Sequence, residues 1–483
     1  MTDEGAPRVV TRAATGRRRP ASLRAGMWGL AVAITDLTPP GVRYGYVQPL
    51  ARRLLQQPLG TLAAVEGAAF ASSGHEATSR RTDLRCGLVA DHLDVGGVGR
   101  VVEMLTEGLR STGIEPVVVC PTDGSRTAHL RALGHEVVLA PDARSAHKAL
   151  EGAHLDVVQL HSAPAHLVSA ALGTGAPVVP VLHNTEIHYA RPQWQATAEL
   201  FERADAVIAV SEIVRRFHQA RVPAASGEKI VVVPNGAMSI PTATADVRTR
   251  AREGLAALLG TSLTDDVVLV CLARYDSQKN IAGTVASFLD AIDGCDFPIR
   301  LVVAGDPSDW LEYRRADAIR RAHQHADRVH LLGNSDAATL LAAADAFLLN
   351  SFFEGWPLAT TEAVAAGLPV IVSDTGGAVE LVARAVDSSV LIGNASGPAT
   401  SVSDRAARAA RRQATRQRNG AELRAAVMAV AAACSSGAAS GPSGLSPDDS
   451  YDEMVHGHAR VIRAARQGTA SSPGQRFDPR RLS

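Results

Sequence analysis

From Arg85 onward, short apolar runs alternate with longer stretches of helical period. Strand-length runs fall at Cys86–Ala90, Pro116–Cys120, Glu136–Ala140, Asp156–His161, Pro177–His183, Ala206–Val210 and Ile230–Val233. They are continuous and valine-rich rather than alternating, as strands covered on both faces of a parallel sheet are. A helical run, Val98–Ser111, follows the first of them. The pattern pauses over Pro234–Ala245 and restarts, with strands at Val267–Ala273, Arg300–Ala304, Arg328–Leu332, Ala346–Leu349, Pro369–Val372 and Val390–Ile392. Between these lie helical runs at Ile281–Ile292, Asp309–His323, Ala337–Ala344 and Pro357–Ala366. The fold class this predicts is α/β, with two tandem doubly wound Rossmann-like domains over 83–240 and 241–435 that face a cleft. Ligands of such folds collect outside the carboxyl ends of the strands.

The ends read differently. Residues 1–82 are rich in Arg, Ala, Gly, Pro and Ser, contain no lysine and lack strand–helix alternation. They read as a flexible or disordered extension, or as sequence upstream of a true start, with one short helical segment near Val47–Gln57. The apolar run Gly26–Ile34 follows a cluster of arginines, as a secretory signal does. It is followed at once by Asp36 and Pro39–Pro40, without a small-x-small cleavage site, and is far shorter than the ~20 residues of a membrane span. A Ser/Gly/Ala/Pro linker is expected at 436–449, a last helix at 450–467, and a polar tail at 468–483.

Composition narrows the function. The formal net charge is zero, so nothing global recruits nucleic acid, and at most a peripheral contact with a membrane surface is expected. Five scattered cysteines form no C-x-x-C pair, which points to a reducing cytoplasm rather than a disulfide framework or zinc knuckle. The basic residues are almost all arginine. Each of the three lysines, Lys148, Lys229 and Lys279, is therefore less readily dismissed as surface filler.

Three constellations carry candidate chemistry. Gly96, Gly97 and Gly99 sit between the first strand and a helix, where glycines let backbone amides approach an anion and the helix dipole assists. A dinucleotide fingerprint fails there because its third glycine position is Val102 and the second strand ends at Cys120 without a ribose-binding acid. A tight turn that lets the helix pack on the sheet is the competing reading. In the second, Arg274 and Lys279 end the first strand of the second domain, a place where the helix dipole disfavours cations. Together they suit a diphosphate whose charge grows as it leaves. No D-x-D pair suggests a metal, so no metal or other cofactor is expected. The third runs from Asn350 to Ala363: Glu354 and Gly355 in a loop, Pro357 as the first helical residue, Leu358 and Ala359 with amides at the helix start, and Glu362 two turns in.

The run Glu354–Glu380 (EGWPLATTEAVAAGLPVIVSDTGGAVE) resembles the signature of the family-four retaining glycosyltransferases, which have the GT-B fold. The resemblance also takes in Gly96–Gly99, His183, Lys229–Gly236 (KIVVVPNG), Arg274 with Lys279, and Val303–Gly305, over about residues 86–385. It implies that Arg274 and Lys279 bind the donor diphosphate, that Glu354 faces the transferred sugar, and that Gly355, Pro357, Leu358 and Ala359 frame sugar and phosphate. It further implies that Glu362 holds the ribose hydroxyls and that Gly96 and Gly97 reach the phosphate or acceptor from the first domain. His183 would line the sugar site, Asn235 the hinge side of the cleft, and Leu332 with Gly333 the base-contacting edge. The last helix would brace the first domain. His161 is an acceptor-side candidate. The Arg405–Arg418 stretch departs from the family pattern, and the first eighty residues have no family counterpart.

The expected activity is thus a retaining, metal-independent transfer of a sugar from a UDP- or GDP-type donor to a hydroxyl of a small molecule, lipid or polysaccharide. A sugar-nucleotide hydrolase or epimerase on the same fold, and a non-catalytic nucleotide- or glycan-binding subunit, are the alternatives. Retention of Arg274, Lys279, Glu354 and Glu362 together argues against the last.

Overall fold

Continuous Val, Ile and Leu runs have two faces to bury, so they form sheets covered by helices on both sides. The computed structural model describes residues 23–38, 42–68, 84–94, 96–237, 243–295, 297–439 and 445–468. Seven strands form the first sheet: β1 (Leu84–Ala90), β2 (Ile114–Cys120), β3 (Glu136–Leu139), β4 (Val157–His161), β5 (Val178–Leu182), β6 (Val207–Ala209) and β7 (Ile230–Val232). Six form the second: β8 (Val267–Leu272), β9 (Ile299–Ala304), β10 (Val329–Leu332), β11 (Ala346–Leu349), β12 (Val370–Ser373) and β13 (Val390–Ile392). Every strand read from the sequence is present, so the doubly wound pair of domains stands.

The order is β3-β2-β1-β4-β5-β6-β7 in one sheet and β10-β9-β8-β11-β12-β13 in the other, with parallel pairing throughout. Strand order therefore reverses between β1 and β4, and again between β8 and β11. The crevice at such a reversal is where the loops after adjacent strands diverge. The Gly96 loop follows β1, the Arg274–Lys279 loop follows β8, and the Glu354 loop follows β11. Two of the positive-φ non-glycine residues lie at strand carboxyl ends: Ser162 after β4 and Asn280 after Lys279, each with φ +53°.

The helix Pro447–Arg466 starts at Ser446, whose hydroxyl accepts from the Asp449 amide, and lies along the first domain. Tyr451 donates to the Met104 carbonyl at 3.0 Å, and Ser450 accepts from the Ala237 amide at 3.2 Å. Arg384 reaches Glu453 at 2.9 Å, tying this helix to the second domain as well. Of the linker expected at 436–449, residues 440–444 lie outside the described residues, as does the tail beyond 468.

The N-terminal stretch corrects an expectation. Residues 1–22 lie outside the described residues, but 23–38 and 42–68 are not a flexible extension: they pack on the second domain. Helices Leu23–Asp36 and Gln48–Leu55 lay Val32 and Ala51 against Leu311 of the helix Trp310–Arg321. Asp36 is completely buried and meets Arg411 at 2.7 Å; Arg411 also holds Asp309 at 3.2 Å and Glu312. The segment beyond then runs beside β10, where the Gly60 carbonyl accepts from Gly333 and the Leu62 carbonyl from Asp336, each at 2.9 Å. The sequence pattern hid this because the Leu23–Asp36 helix is apolar on both faces and shows no amphipathic period.

Candidate active site

The loop after β8 is ordered by its own carboxylate. Asp276 Oδ1 accepts from the amides of Gln278 (2.9 Å) and Lys279 (3.1 Å), while its Oδ2 lies 3.1 Å from the Arg274 guanidinium. Arg274 and Lys279 are thereby fixed to one turn. Lys279 Nζ reaches Glu354 Oε1 at 2.6 Å, and Gln278 Nε2 donates to Glu354 Oε2 (3.1 Å) and to the Phe353 carbonyl (2.9 Å). Glu354 is buried, so its charge is balanced by that ammonium rather than by water. A network beneath the loop joins Asn280 to Gln417 (2.6 Å), Gln417 to Asn350 (3.0 Å) and Asn350 to Asn419 (2.9 Å).

After β11 the chain passes Glu354 and enters the helix Leu358–Ala365. Pro357 stands one position earlier than the sequence suggested, at the N-cap, where it offers no side-chain cap. Its carbonyl accepts from Thr360 and Thr361 at 2.9 and 3.1 Å, so the amides of Leu358 and Ala359 are the outward donors of the helix start. This is a ready anion site, with Lys279 and Glu354 beside it. Glu362 lies further along. Burial pushes its carboxyl up to about 7, and the guanidinium of Arg100, from the first domain, pulls the other way.

The first domain meets this lip closely. Gly96 opens its helix with φ +77°, and a Cβ on Gly99 would sit 1.7 Å from the Leu93 carbonyl oxygen, so these two glycines serve the turn and the packing. Gly97 is the one that faces across the cleft, where a Cβ would meet Leu358 at 3.3 Å. On the other side, a Cβ on Gly355 would lie 1.8 Å from the His183 carbonyl oxygen. Ile187 and Phe217 pack with Phe352 and Phe353, and the Glu212 amide donates to Glu380 at 3.1 Å. Glu354, Gly355, Lys279, Leu358, Ala359 and Pro357 are thus gathered at one lip, opposite Gly97 and His183.

His183, half-buried at the cleft, joins two fully buried histidines. Its Nε2 lies 3.0 Å from Nδ1 of His161, and His161 is stacked on His458 of the last helix with ring centroids 6.2 Å apart. His458 Nδ1 pairs with Gln159 at 3.1 Å. Burial holds all three neutral: His183 is lowered to about 4, His458 to about 3, and His161 well below its ordinary value, further depressed by its two neighbours. The far nitrogens of His161 and His458 are buried without a hydrogen-bond partner.

Two expected site residues have other neighbours. Asn235 is buried and its Oδ1 has no partner, while the adjacent Gly236 packs on the backbone of Ser450 in the last helix. The Leu332 carbonyl accepts from Tyr275 at 2.8 Å, and the amide of Gly333 beside it is taken by Gly60. The N-terminal segment therefore runs along the edge read as base-contacting. Of the other lysines, Lys229 caps a helix by donating to the carbonyls of Phe201, Glu202 and Ala204; Lys148 is exposed. Residues that the sequence reading missed are Arg100, Asp276, Gln278 and His458. Asp276 and Gln278 adjoin motif residues, which was signal enough; Arg100 relates to Glu362 only across the two domains, and His458, 275 positions from His183, carried no signal. Among the described residues, Glu103, Glu107 and His129 have metal-ligand spacing, but Glu103 is already paired with Arg100 (3.0 Å) and Arg126 (3.1 Å).

Comparison with known proteins agrees with this layout. The family described as Glycosyltransferase Family 4 matches residues 95–237, and that described as Glycosyl transferases group 1 matches 266–408, together more than half of the chain. N-acetyl-alpha-D-glucosaminyl L-malate synthase of Bacillus anthracis is 26% identical over 242 residues, covering 47% of this chain and 59% of that protein. Glycogen synthase of Hydrogenovibrio crunogenus is 31% identical over 136 residues, or 28% of this chain and 27% of that one. The chain spans less than two thirds of the length of these curated relatives. Among solved structures, Anabaena HepE in complex with UDP superposes with a TM-score of 0.56 at 19% identity, over 78% of this chain and all of that one. With both sheets, both family matches and the lip between the domains in agreement, this chain belongs to the family 4, group 1 type of glycosyltransferases and has their GT-B fold.

Proposed function

We propose that the chain transfers a sugar from a UDP- or GDP-type donor to an acceptor hydroxyl, with retention at the anomeric carbon and without a divalent metal. The observation that carries this reading is the convergence of Lys279, Glu354 and the uncapped helix start at one lip of the cleft, facing Gly97 and His183. The donor diphosphate lies against the amides of Leu358 and Ala359, with Arg274 and Lys279 supplying the positive charge a metal would otherwise give. As the bond between the anomeric carbon and the diphosphate oxygen breaks, its electron pair leaves on the phosphate. These fixed donors then stabilise the growing charge in a site with little water. Glu354, oriented by Lys279 and Gln278, accepts from sugar hydroxyls, and Glu362 from the ribose. His183, neutral at pH 7, acts as a hydrogen-bonding group and not as a cation. The acceptor hydroxyl attacks from the face the diphosphate leaves, and its proton passes to the departing phosphate oxygen, so that bonds and charge balance. The free cysteines fit a reducing, cytoplasmic setting.

UDP, present in the Anabaena complexes, is the first nucleotide to test, with GDP and ADP beside it. A ligand at a hundred times its Kd adds about 2.7 kcal/mol of apparent stability. The expected outcome is a raised Tm with UDP or GDP, unaffected by EDTA, and slow release of free sugar from the matching donor when no acceptor is present. No shift with any nucleotide would overturn the reading. Fast acceptor-free release of sugar would assign the chain to hydrolysis instead.

A further inference from the structure

The helix Leu23–Asp36 turns one face to the second domain, through Trp28, Val32 and Asp36, and the opposite face to solvent. That outer face is a single stripe at helical spacing: Leu23 (90% exposed), Met27 (69%), Leu30 (63%), Ile34 (55%) and, just beyond the helix, Leu37 (80%). A second exposed row, Val42, Tyr46, Leu50 and Leu54, runs at four-residue spacing along the next helical stretch. Scattered exposed apolar residues are ordinary, but two ordered rows on adjacent helices are an apolar patch that calls for a cover. The helices are no loose ends, because the ion cluster of Asp36, Arg411, Asp309 and Glu312 pins them.

We infer that this face docks on the surface of a membrane rich in anionic lipid, lying in the interface without crossing it. Charge selects that occupant. Residues 17–60 contain seven arginines and a single acid, and that acid, Asp36, is buried against Arg411. Arg24, Arg52 and Arg53 are exposed around the two apolar rows. An apolar face rimmed by arginine suits acyl chains below and anionic headgroups around it. A helix of 14 residues is about 21 Å long, short of the ~30 Å hydrocarbon core. Among the described residues no helix is long and apolar enough to cross a membrane. The platform would hold the donor-side domain at the bilayer surface.

The test is co-sedimentation of the full chain with phosphatidylcholine vesicles, with and without phosphatidylglycerol, in the absence of nucleotide, so its outcome is independent of the proposed reaction. Wild-type protein should partition at least about tenfold more strongly to the anionic vesicles and lose that preference at high salt. The Met27→Glu/Leu30→Glu variant should lose binding by at least about tenfold on both vesicle types while keeping its Tm, since both side chains are exposed. Arg52→Glu/Arg53→Glu should lose only the anionic preference. Wild-type protein left in the supernatant with anionic vesicles would overturn the inference, as would an apolar-face variant that binds like wild type. A wild-type dimer in sedimentation analysis that Met27→Glu dissolves would also overturn it, because the cover would then be a second copy of the chain.

Discussion

Glu354 and Lys279 form a buried charge pair, and each depends on the other. Removing either leaves its partner uncompensated in a site where charge is costly to bury. Lys279→Ala and Glu354→Ala should each cut turnover by about a hundredfold or more, measured as kcat on the matching donor. Near wild-type rates in both would remove the assignment. Glu362 gives a pH prediction. Its carboxyl titrates near 7 instead of its ordinary 4.5, so the stability it contributes is full below 4.5 and is lost as pH rises through 7. If it holds the ribose hydroxyls as proposed, that grip strengthens over the same rise, because the ionised form is the better acceptor. Donor affinity should increase about three- to tenfold from pH 6 to 8, and Glu362→Gln should flatten the profile in calorimetric titrations. Lys279, Glu354 and Glu362 were legible in the sequence because they sit in a short loop–proline–helix frame. Arg100 was legible only in hindsight, since its relation to Glu362 exists across two domains.

At the scale of elements, the thirteen strands were readable because buried parallel strands write themselves as unbroken apolar runs. The packing between elements was not readable, and Gly355 shows why. Its role is set by a carbonyl 172 positions earlier, at His183, which no local pattern contains. Gly355→Ala would push the Glu354 loop off the first domain. The domain cores would remain, so a fall of about a hundredfold in kcat/KM with a well-folded protein is expected, as for a misplacement of roughly an ångström. The histidine trio is similarly a product of assembly, joining β4, the turn after β5 and the last helix. His183 and His458 titrate near 4 and 3, below the ordinary 6.5. The stability they contribute is therefore present above 6.5 and lost as pH falls towards 4 and then 3. Each such neutral histidine steepens acid destabilisation by up to about 1.4 kcal/mol per pH unit. His458→Gln should make the loss of stability between pH 6.5 and 4.5 shallower in urea titrations.

At the scale of the whole molecule, the N-terminal stretch changes the picture most. In the sequence it looked featureless, and the Arg405–Arg418 stretch looked like a departure from the family pattern. Together they explain each other: Arg408 donates to the Asp36 carbonyl at 2.8 Å, and Arg411 binds the Asp36 carboxylate, so the irregular arginines are the clasp for the added helices. Arg411→Met would strand Asp36, Asp309 and Glu312 in a buried pocket, at a cost of about 3–5 kcal/mol. Limited proteolysis should then cut the chain between the N-terminal helices and β1 faster than in wild type. The clasp also brings residues 59–62 alongside Leu332 and Gly333, the edge that the sequence resemblance reads as base-contacting.

The central claim is that Arg274, Lys279 and the start of the Leu358–Ala365 helix jointly hold a nucleoside diphosphate. Calorimetric titration of UDP and GDP into wild type and into the Arg274→Ala/Lys279→Ala variant addresses it directly. The account predicts that one of the two nucleotides binds wild type and that the variant weakens it by about a hundredfold or more, with its fold intact. An unchanged Kd in the variant would contradict it.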